Sequence, residues 1–285
     1  MTTATELDLY NDLSVRTSMM VTKAYSTSFS IGIRLFAPQL RNPIYSIYGF
    51  VRLADEIVDS WHSLNQKQEL DHLKADCRQA FDSGFSSNPI LQSFSQVIRS
   101  FDIDYELVDA FMYSMELDLT QTTYTQSQYE RYIYGSAEVV GLMCLAVFCQ
   151  GDKNEYNRLV PGARSLGAAF QKVNFLRDLG EDTDGLGRIY FPGLNMALLS
   201  EIDKLRLVNE IEADFKNAFP SLRELPSSAR TGVLLAYTYY LTLLDKIRKT
   251  PASKLKTQRI RVSNSQKIWL LIRIYTKERI LTGRT

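Results

Sequence analysis

The 285 residues carry 33 Lys and Arg against 32 Asp and Glu, a formal net charge of +1, so charge gives no sequence-wide case for nucleic-acid binding. With 14 Gly and 8 Pro the chain falls below the usual share of roughly 12% for these residues, which disfavours turn-rich sandwiches, collagen-like repeats and long linkers. The histidines are His62 and His72 and the cysteines Cys77, Cys144 and Cys149, with no CxxC or HExxH spacing, so the usual zinc sites and a disulfide framework are both disfavoured.

Apolar residues recur at a period of 3.6 almost throughout, as in Leu107, Phe111, Met115 and Leu119, and the expected class is all-α. The first thirty residues carry acidic side chains early and lack a basic stretch followed by an apolar one, which predicts no signal peptide and a reducing, cytoplasmic setting. Helices are expected over about 8–24, then from Asn42 as N-cap and Pro43 as first helical residue towards Trp61, and over 64–83, 88–100 and 104–120. Further helices are expected over 127–150, 154–179, 199–217, 222–249 and 264–281. The longest apolar run, Val139 to Cys149, has 11 residues, against roughly 18–20 for a bilayer crossing. The main break is Gly180 to Pro192, GEDTDGLGRIYFP, and nothing resembles an interdomain linker, so 1–285 is expected to form one domain.

Two polar stripes stand out. In VRLADEIVDS, Asp55 and Asp59 are four apart, which places both carboxylates on one helix face, with Tyr48 and Arg52 on the same stripe. In LGAAFQKVNFLRDLGED, Gln171, Asn174, Asp178 and Asp182 repeat the arrangement, opposite an apolar face of Leu166, Ala169, Phe170, Val173 and Leu176. A single DxxxD pattern is ordinarily a solvated face. Two pairs, one of them set among short Gln, Asn and Asp side chains where a solvated face usually carries Lys and Glu, are less ordinary. Like charges at i,i+4 destabilise a helix by about 0.2–0.5 kcal/mol, which a hard divalent cation would offset. Magnesium prefers such oxygen ligands and is typically held by one or two carboxylates plus substrate phosphate oxygens, so two facing pairs suit a diphosphate. Arg52, Arg177, Arg188, Arg259 and Arg261 are candidates to complete the phosphate cradle. GEDTDGLG lacks the Lys and Ser/Thr of a phosphate loop, and Asp182 to Gly185 fails as an EF-hand when the flanking positions are aligned.

Four segments resemble the squalene and phytoene synthase family of head-to-head prenyl transferases: YSTSFSIGIRLF, IYGFVRLADEIVD, YIYGSAEVVGLM and GAAFQKVNFLRDLGEDTDGLGRIYFP. The last, an N-x-x-R-D-x-x-x-D pattern running into G-R-x-Y-F-P, is the most specific. The resemblance implies an all-α, single-domain isoprenoid synthase bundle with a central apolar cavity. It also implies that Asp55, Asp59, Asp178 and Asp182, helped by Asn174, hold Mg²⁺ or Mn²⁺, while Arg52, Gln171 and Arg177 meet the diphosphate or organise its cradle. AYTYYLTLLDKIR and TQRIRV add Tyr240 and Arg259 as diphosphate contacts, and Ser28, Tyr48 and Tyr134 as active-site neighbours complete the set. Two departures are visible. Tyr25 stands where the family often has histidine, and Glu138 stands where the middle helix usually has glycine, so that its carboxylate either faces away from the cavity or reshapes it. The implied activity is Mg²⁺-dependent condensation of two geranylgeranyl diphosphates to phytoene without NADPH, the entry to carotenoid synthesis. A squalene or dehydrosqualene synthase using farnesyl diphosphate is the alternative, and a non-catalytic helical assembly protein of the same fold a third. Prenyl diphosphates as substrates, a peripheral place on the inner face of the membrane and downstream carotenoid enzymes as partners belong to the same expectation.

Overall fold

A computed structural model describes residues 5–180, 189–194 and 199–282, with side chains described as far as Ile274. Within these residues the chain is helical, and the sole extended pairing is an isolated parallel bridge between Thr123 and Ile189. Helix α1 (Glu6–Tyr25) starts with Thr5 and Asp8 in a capping box, and α2 (Thr27–Ile33) follows after Ser26. The buried face of α1 is small and polar: Ser14, Ser18 and Thr22 are fully covered, and a Cβ on Gly49 would lie 2.7 Å from Ser18 Oγ. That close approach seats α3 against α1.

Helix α3 (Pro38–Asp59) begins four residues before the expected Asn42 cap. Pro38 meets the same first-turn preference as Pro43, and burial of Leu40 alongside Ile44 extends the apolar stripe backwards, which outweighs the hydrogen bond that Pro43 cannot donate inside the helix. One stripe of α3 buries Ile47, Phe50, Ala54, Ile57 and Val58, each of the larger side chains contributing roughly 1.5–3 kcal/mol of hydrophobic stabilisation. Phe50 stacks on Phe94 with ring centroids 3.9 Å apart, holding α3 against α5 (Pro89–Ser100) after α4 (Gln66–Ser83).

The expected helix over 127–150 is α7 (Gln126–Ile133), a π-helical turn (Tyr134–Glu138) and α8 (Val139–Cys149). At that turn Gly135 lies under α6 (Tyr105–Thr120), where a Cβ would be 2.4 Å from Ala110 O, so the widened turn coincides with a crossing that only glycine allows. By length and composition Gln126–Cys149 is apolar enough to cross a bilayer, yet it packs against α3, α6 and the long helix α9 (Lys153–Arg177) as a core element. Gly167 of α9 lets the two pass: a Cβ there would lie 2.8 Å from Ala137 O.

The break expected near 218–221 is absent. Helix α10 (Glu201–Glu224) continues through Pro220 because Ala218 and Leu222 extend its buried stripe, and α11 (Ser227–Lys249) starts only after Pro226. Lys204, 2% exposed, donates from Nζ to the carbonyls of Arg248 (3.1 Å) and Thr250 (2.6 Å) and pairs with Glu201. Those bonds satisfy the C-terminal carbonyls of α11 and fix the start of α12 (Ala252–Leu255), whose following segment carries Arg259. Helix α13 (Asn264–Thr282) lies across α11.

Candidate active site

The first carboxylate stripe sits at the C-terminal half of α3. Arg52 pairs with Glu56 one turn on, and its Nη1 is 3.9 Å from Asp55 Oδ2. Its guanidinium also lies over the Tyr25 ring, 4.3 Å from the centroid, so the side chain that departs from the family pattern supplies a π face to an arginine. Tyr48 stacks on Phe29 at 4.8 Å and shares a hydrogen bond with Ser26. Burial raises the pKa of the Tyr48 hydroxyl. Ser28 is half-buried on the same short helix, and it is Ser26, cap of α2, that touches Tyr48.

Asp55 is surrounded by protein while 35% of its side-chain surface is still open, as expected for a group on the wall of an interior space. Its carboxyl is pushed up to about 7, first by desolvation, then by the neighbouring Asp59 and Asp118, with Arg52 opposing. Cys144 of α8 is likewise enclosed without being fully covered, and burial raises its thiol to about 12.

Asp118 is a site residue that sequence reasoning missed. It is 8% exposed near the end of α6, accepts hydrogen bonds from Tyr132 Oη (2.8 Å) and Tyr190 Oη (3.3 Å), and borders a cleft of about 210 Å³ with Val58 and His62. Tyr190 stacks on Phe175 of α9 at 4.0 Å, and Ile189 N donates to Thr122 O at 2.8 Å, so the chain leaving the second carboxylate segment is strapped to the end of α6. The available signal was a carboxylate inserted beside the apolar stripe of Phe111, Met115 and Leu119. Tyr134, the expected neighbour, lies 5.2 Å from Arg164 in a cation–π contact. Arg164 precedes Asp178 by 14 residues, about 21 Å along a helix axis, and it is Tyr132 that faces the acidic cluster.

The second stripe occupies the end of α9. Asp178 closes the helix as its C-cap and is held by two guanidiniums at once: Arg177 Nε donates to Oδ1 at 2.9 Å, and Arg259 Nε pairs with the same oxygen at 2.9 Å. Burial lowers the pKa of Arg177 while its bonds to Asp178 raise it, and the net shift is upward. Asn174 Nδ2 approaches Gln171 Oε1 at 3.5 Å and Asn174 Oδ1 accepts from Tyr240 Oη at 3.2 Å. Tyr240 stacks on Phe170 at 4.1 Å. Gly180 passes so near α12 that a Cβ would meet Lys256 O at 2.3 Å. Asp182 and Arg188 lie outside the described residues, and Arg261 is exposed, its carbonyl accepting from Lys246.

Two chains of neighbouring groups link the stripes. Tyr48 of α3 is within electrostatic reach of Tyr240, which bonds Asn174, while on the other flank Asp55 feels Asp118, which bonds Tyr190 against Phe175. Among the described residues no three His, Cys, Asp or Glu side chains converge closely enough to hold an ion. The donor set is nevertheless hard oxygen, and Asp55, raised first by desolvation and then by the nearby Asp59 and Asp118 carboxylates, stands among like charges that a divalent cation at the first stripe would offset. Glu138 resolves in favour of facing away: its Oε2 accepts from Arg164 Nε at 2.5 Å, in an outer groove of about 510 Å³ with Lys172 and Glu210, and Gly167 keeps the helix crossing close.

Sequence comparison matches residues 22–266 to the squalene/phytoene synthase family. The chain is 31% identical over 252 residues to the 15-cis-phytoene synthase of Synechocystis, covering 80% of this chain and 74% of that protein. It is 28% identical over 272 residues to the chloroplastic phytoene synthase 2 of Solanum lycopersicum, covering 89% and 87%. Among solved structures, a dehydrosqualene synthase in complex with ligand superposes with a TM-score of 0.81 at 22% identity, covering 94% of this chain and 98% of that one. A squalene synthase from Alicyclobacillus acidocaldarius gives 0.74 at 21%, covering 85% and 95%.

Proposed function

The chain belongs to the squalene/phytoene synthase family, whose members are prenyl transferases, and on that premise we propose that it is a phytoene synthase, joining two geranylgeranyl diphosphates head to head. The observation that carries the reading is the presence of two carboxylate stripes, each with its own arginine: Asp55 with Arg52, and Asp178 with Arg177 and Arg259. The curated relatives named phytoene synthase favour this substrate over farnesyl diphosphate.

Asp55 and Asp59 on one side, and Asn174, Asp178 and Asp182 on the other, would hold Mg²⁺ or Mn²⁺, which supplies charge neutralisation for departing diphosphate. As the structure stands, Asp178 is occupied by two guanidiniums. An incoming diphosphate offers Arg177 and Arg259 a bidentate partner of higher charge, and their transfer to it releases the Asp178 carboxylate. Arg52, braced by Glu56 and the Tyr25 ring, presents its remaining donors to the same space. Tyr48, Phe170 and Tyr240 offer aromatic faces near the two stripes, each worth about 0.5–2 kcal/mol to a nearby carbocation. The first donor loses diphosphate, the double bond of the second attacks the allylic cation with loss of a proton, and a cyclopropylcarbinyl diphosphate forms. Its own loss of diphosphate, rearrangement and loss of a second proton then give phytoene, two diphosphates and two protons in all. A place at the inner face of a membrane, where such lipids reside, and supply to downstream carotenoid enzymes follow from the same reading.

Release of inorganic diphosphate from geranylgeranyl diphosphate tests it: the wild type is expected to require Mg²⁺ and Asp178→Asn to lose at least about a hundredfold in rate while remaining folded. Unchanged release by Asp178→Asn would refute the assignment of that carboxylate.

A further inference from the structure

Helix α13 is apolar on two opposite faces. Leu270 and Ile274, 4% and 5% exposed, pack with Leu235 of α11 and against Ile31 of α2. On the other side Ile268, Trp269 and Ile272 are 56%, 56% and 57% exposed, and at 3.6 residues per turn they fall within an arc of about 100°. One apolar face is sealed by α11 and α2, while the other is open to solvent. Contiguous exposed apolar side chains on a surface helix mark a contact face.

Charge selects the partner. Residues 264–285 hold five basic side chains and one acidic, a net of +4, against −3 for the remainder of a chain that totals +1. The guanidinium of Arg273 lies 5.1 Å from the centre of the Trp269 ring, which joins an aromatic and a cation at the edge of the apolar face. Tryptophan beside arginine on an apolar helix face is the arrangement favoured where hydrocarbon meets anionic headgroups. The match to the family over residues 22–266 takes in the start of α13. Its position matters as much as its composition: α2, on which it packs, supplies Phe29 to Tyr48, α11 carries Tyr240, and Lys267 Nζ stands 5.8 Å from the Tyr239 ring.

We propose that the outward face of α13, formed by Ile268, Trp269 and Ile272 with Arg273 at its edge, docks the protein on an anionic lipid surface. Docking there sets α2 and α11, which carry Phe29 against Tyr48 and Tyr240 itself, towards the bilayer from which a prenyl diphosphate arrives. The source of the substrate rests on the prenyl-transfer reading, whereas the docking contact does not.

Flotation of the purified full chain with phosphatidylcholine vesicles containing about one third phosphatidylglycerol tests the contact. The wild type is expected to float with these vesicles, less with phosphatidylcholine alone and less in high salt. The pair Trp269→Gln and Ile272→Asn is expected to lower partitioning about tenfold, with Trp269→Phe retaining most of it and circular dichroism unchanged. Turnover of detergent-dispersed substrate by the double variant stays at the wild-type level, while turnover of vesicle-borne substrate falls with partitioning. Equal flotation of wild type and double variant, or a wild type that remains in the soluble fraction, overturns the proposal. So does sedimentation showing a wild-type dimer that the double variant dissolves, since a second copy then covers the face. Flotation without turnover of any prenyl diphosphate leaves docking in place and removes the enzymatic reading instead.

Discussion

Replacing Asp55 by asparagine should stabilise the metal-free protein at alkaline pH while abolishing its activity. The carboxyl of Asp55 is pushed from 3.8 to about 7 by desolvation and by Asp59 and Asp118, so the folded state holds its proton more tightly than the unfolded chain does. Folding stability from this group is therefore fully present below pH 4 and falls as pH rises from about 4 to 7, where the folded state must give up a proton that the unfolded state lost earlier. Three units at 1.36 kcal/mol each give about 4 kcal/mol, and because the side chain is 35% open to solvent, screening reduces this to about 2 kcal/mol. Asparagine keeps the shape without the charge. Urea titrations in the presence of a chelator should show Asp55→Asn more stable than wild type by about 2 kcal/mol at pH 8, equivalent to roughly 4–8 °C in Tm for a chain of this size, with the gap closing by pH 4. Added Mg²⁺ should stabilise the wild type and leave the variant unchanged. A pH-independent gap, or a variant less stable at pH 8, would refute the electrostatic reasoning and with it the case for a cation at this stripe.

Three further outcomes follow from the same geometry. Tyr132→Phe, which strips Asp118 of a 2.8 Å donor, should lower kcat/KM at least about tenfold, whereas Tyr134→Phe should stay within about twofold of wild type in the same steady-state assay. Gly167→Ala sets a Cβ 2.8 Å from Ala137 O and 3.0 Å from Glu138 Cα, both backbone atoms that cannot yield, and should destabilise by about 1–3 kcal/mol in denaturant unfolding. Lys204→Met leaves the carbonyls of Arg248 and Thr250 buried without their donor and should cost about 1–3 kcal/mol, with KM for diphosphate substrates rising because Arg259 sits on the segment so anchored.

Most of the helices were readable because burial imposes one period on long segments: the apolar residues that recur in α4, α5, α6 and α9 are those found inside. Helix starts near proline were misread for a physical reason. Pro43 and Pro220 lie inside helices whose buried stripes run on past them, and tertiary burial outweighs one missing backbone donor. Short α2 escaped notice because seven residues with alternating Ser and apolar side chains show no period. At the site, the common face of Asp55 and Asp59 was legible from spacing alone, and Arg52, Asn174, Tyr240 and Arg259 stand close to Asp55, Asp178 or their neighbours. Asp118, Tyr190 and Ser26 were not legible, since their partners are remote in sequence and each looks unremarkable in its own helix or loop. The outward face of α13 was hidden for the converse reason, that apolar residues on both sides of a helix cancel the asymmetry by which an amphipathic surface is recognised.

Product analysis addresses the central claim most directly. Purified protein incubated separately with geranylgeranyl and farnesyl diphosphate, with and without Mg²⁺ and NADPH, is predicted to give a C40 hydrocarbon from the former that requires Mg²⁺ and is indifferent to NADPH. A C30 product formed in preference would move the chain to the squalene branch of its family, and no hydrocarbon under any of these conditions would contradict the assignment of a prenyl-transfer site to the two carboxylate stripes.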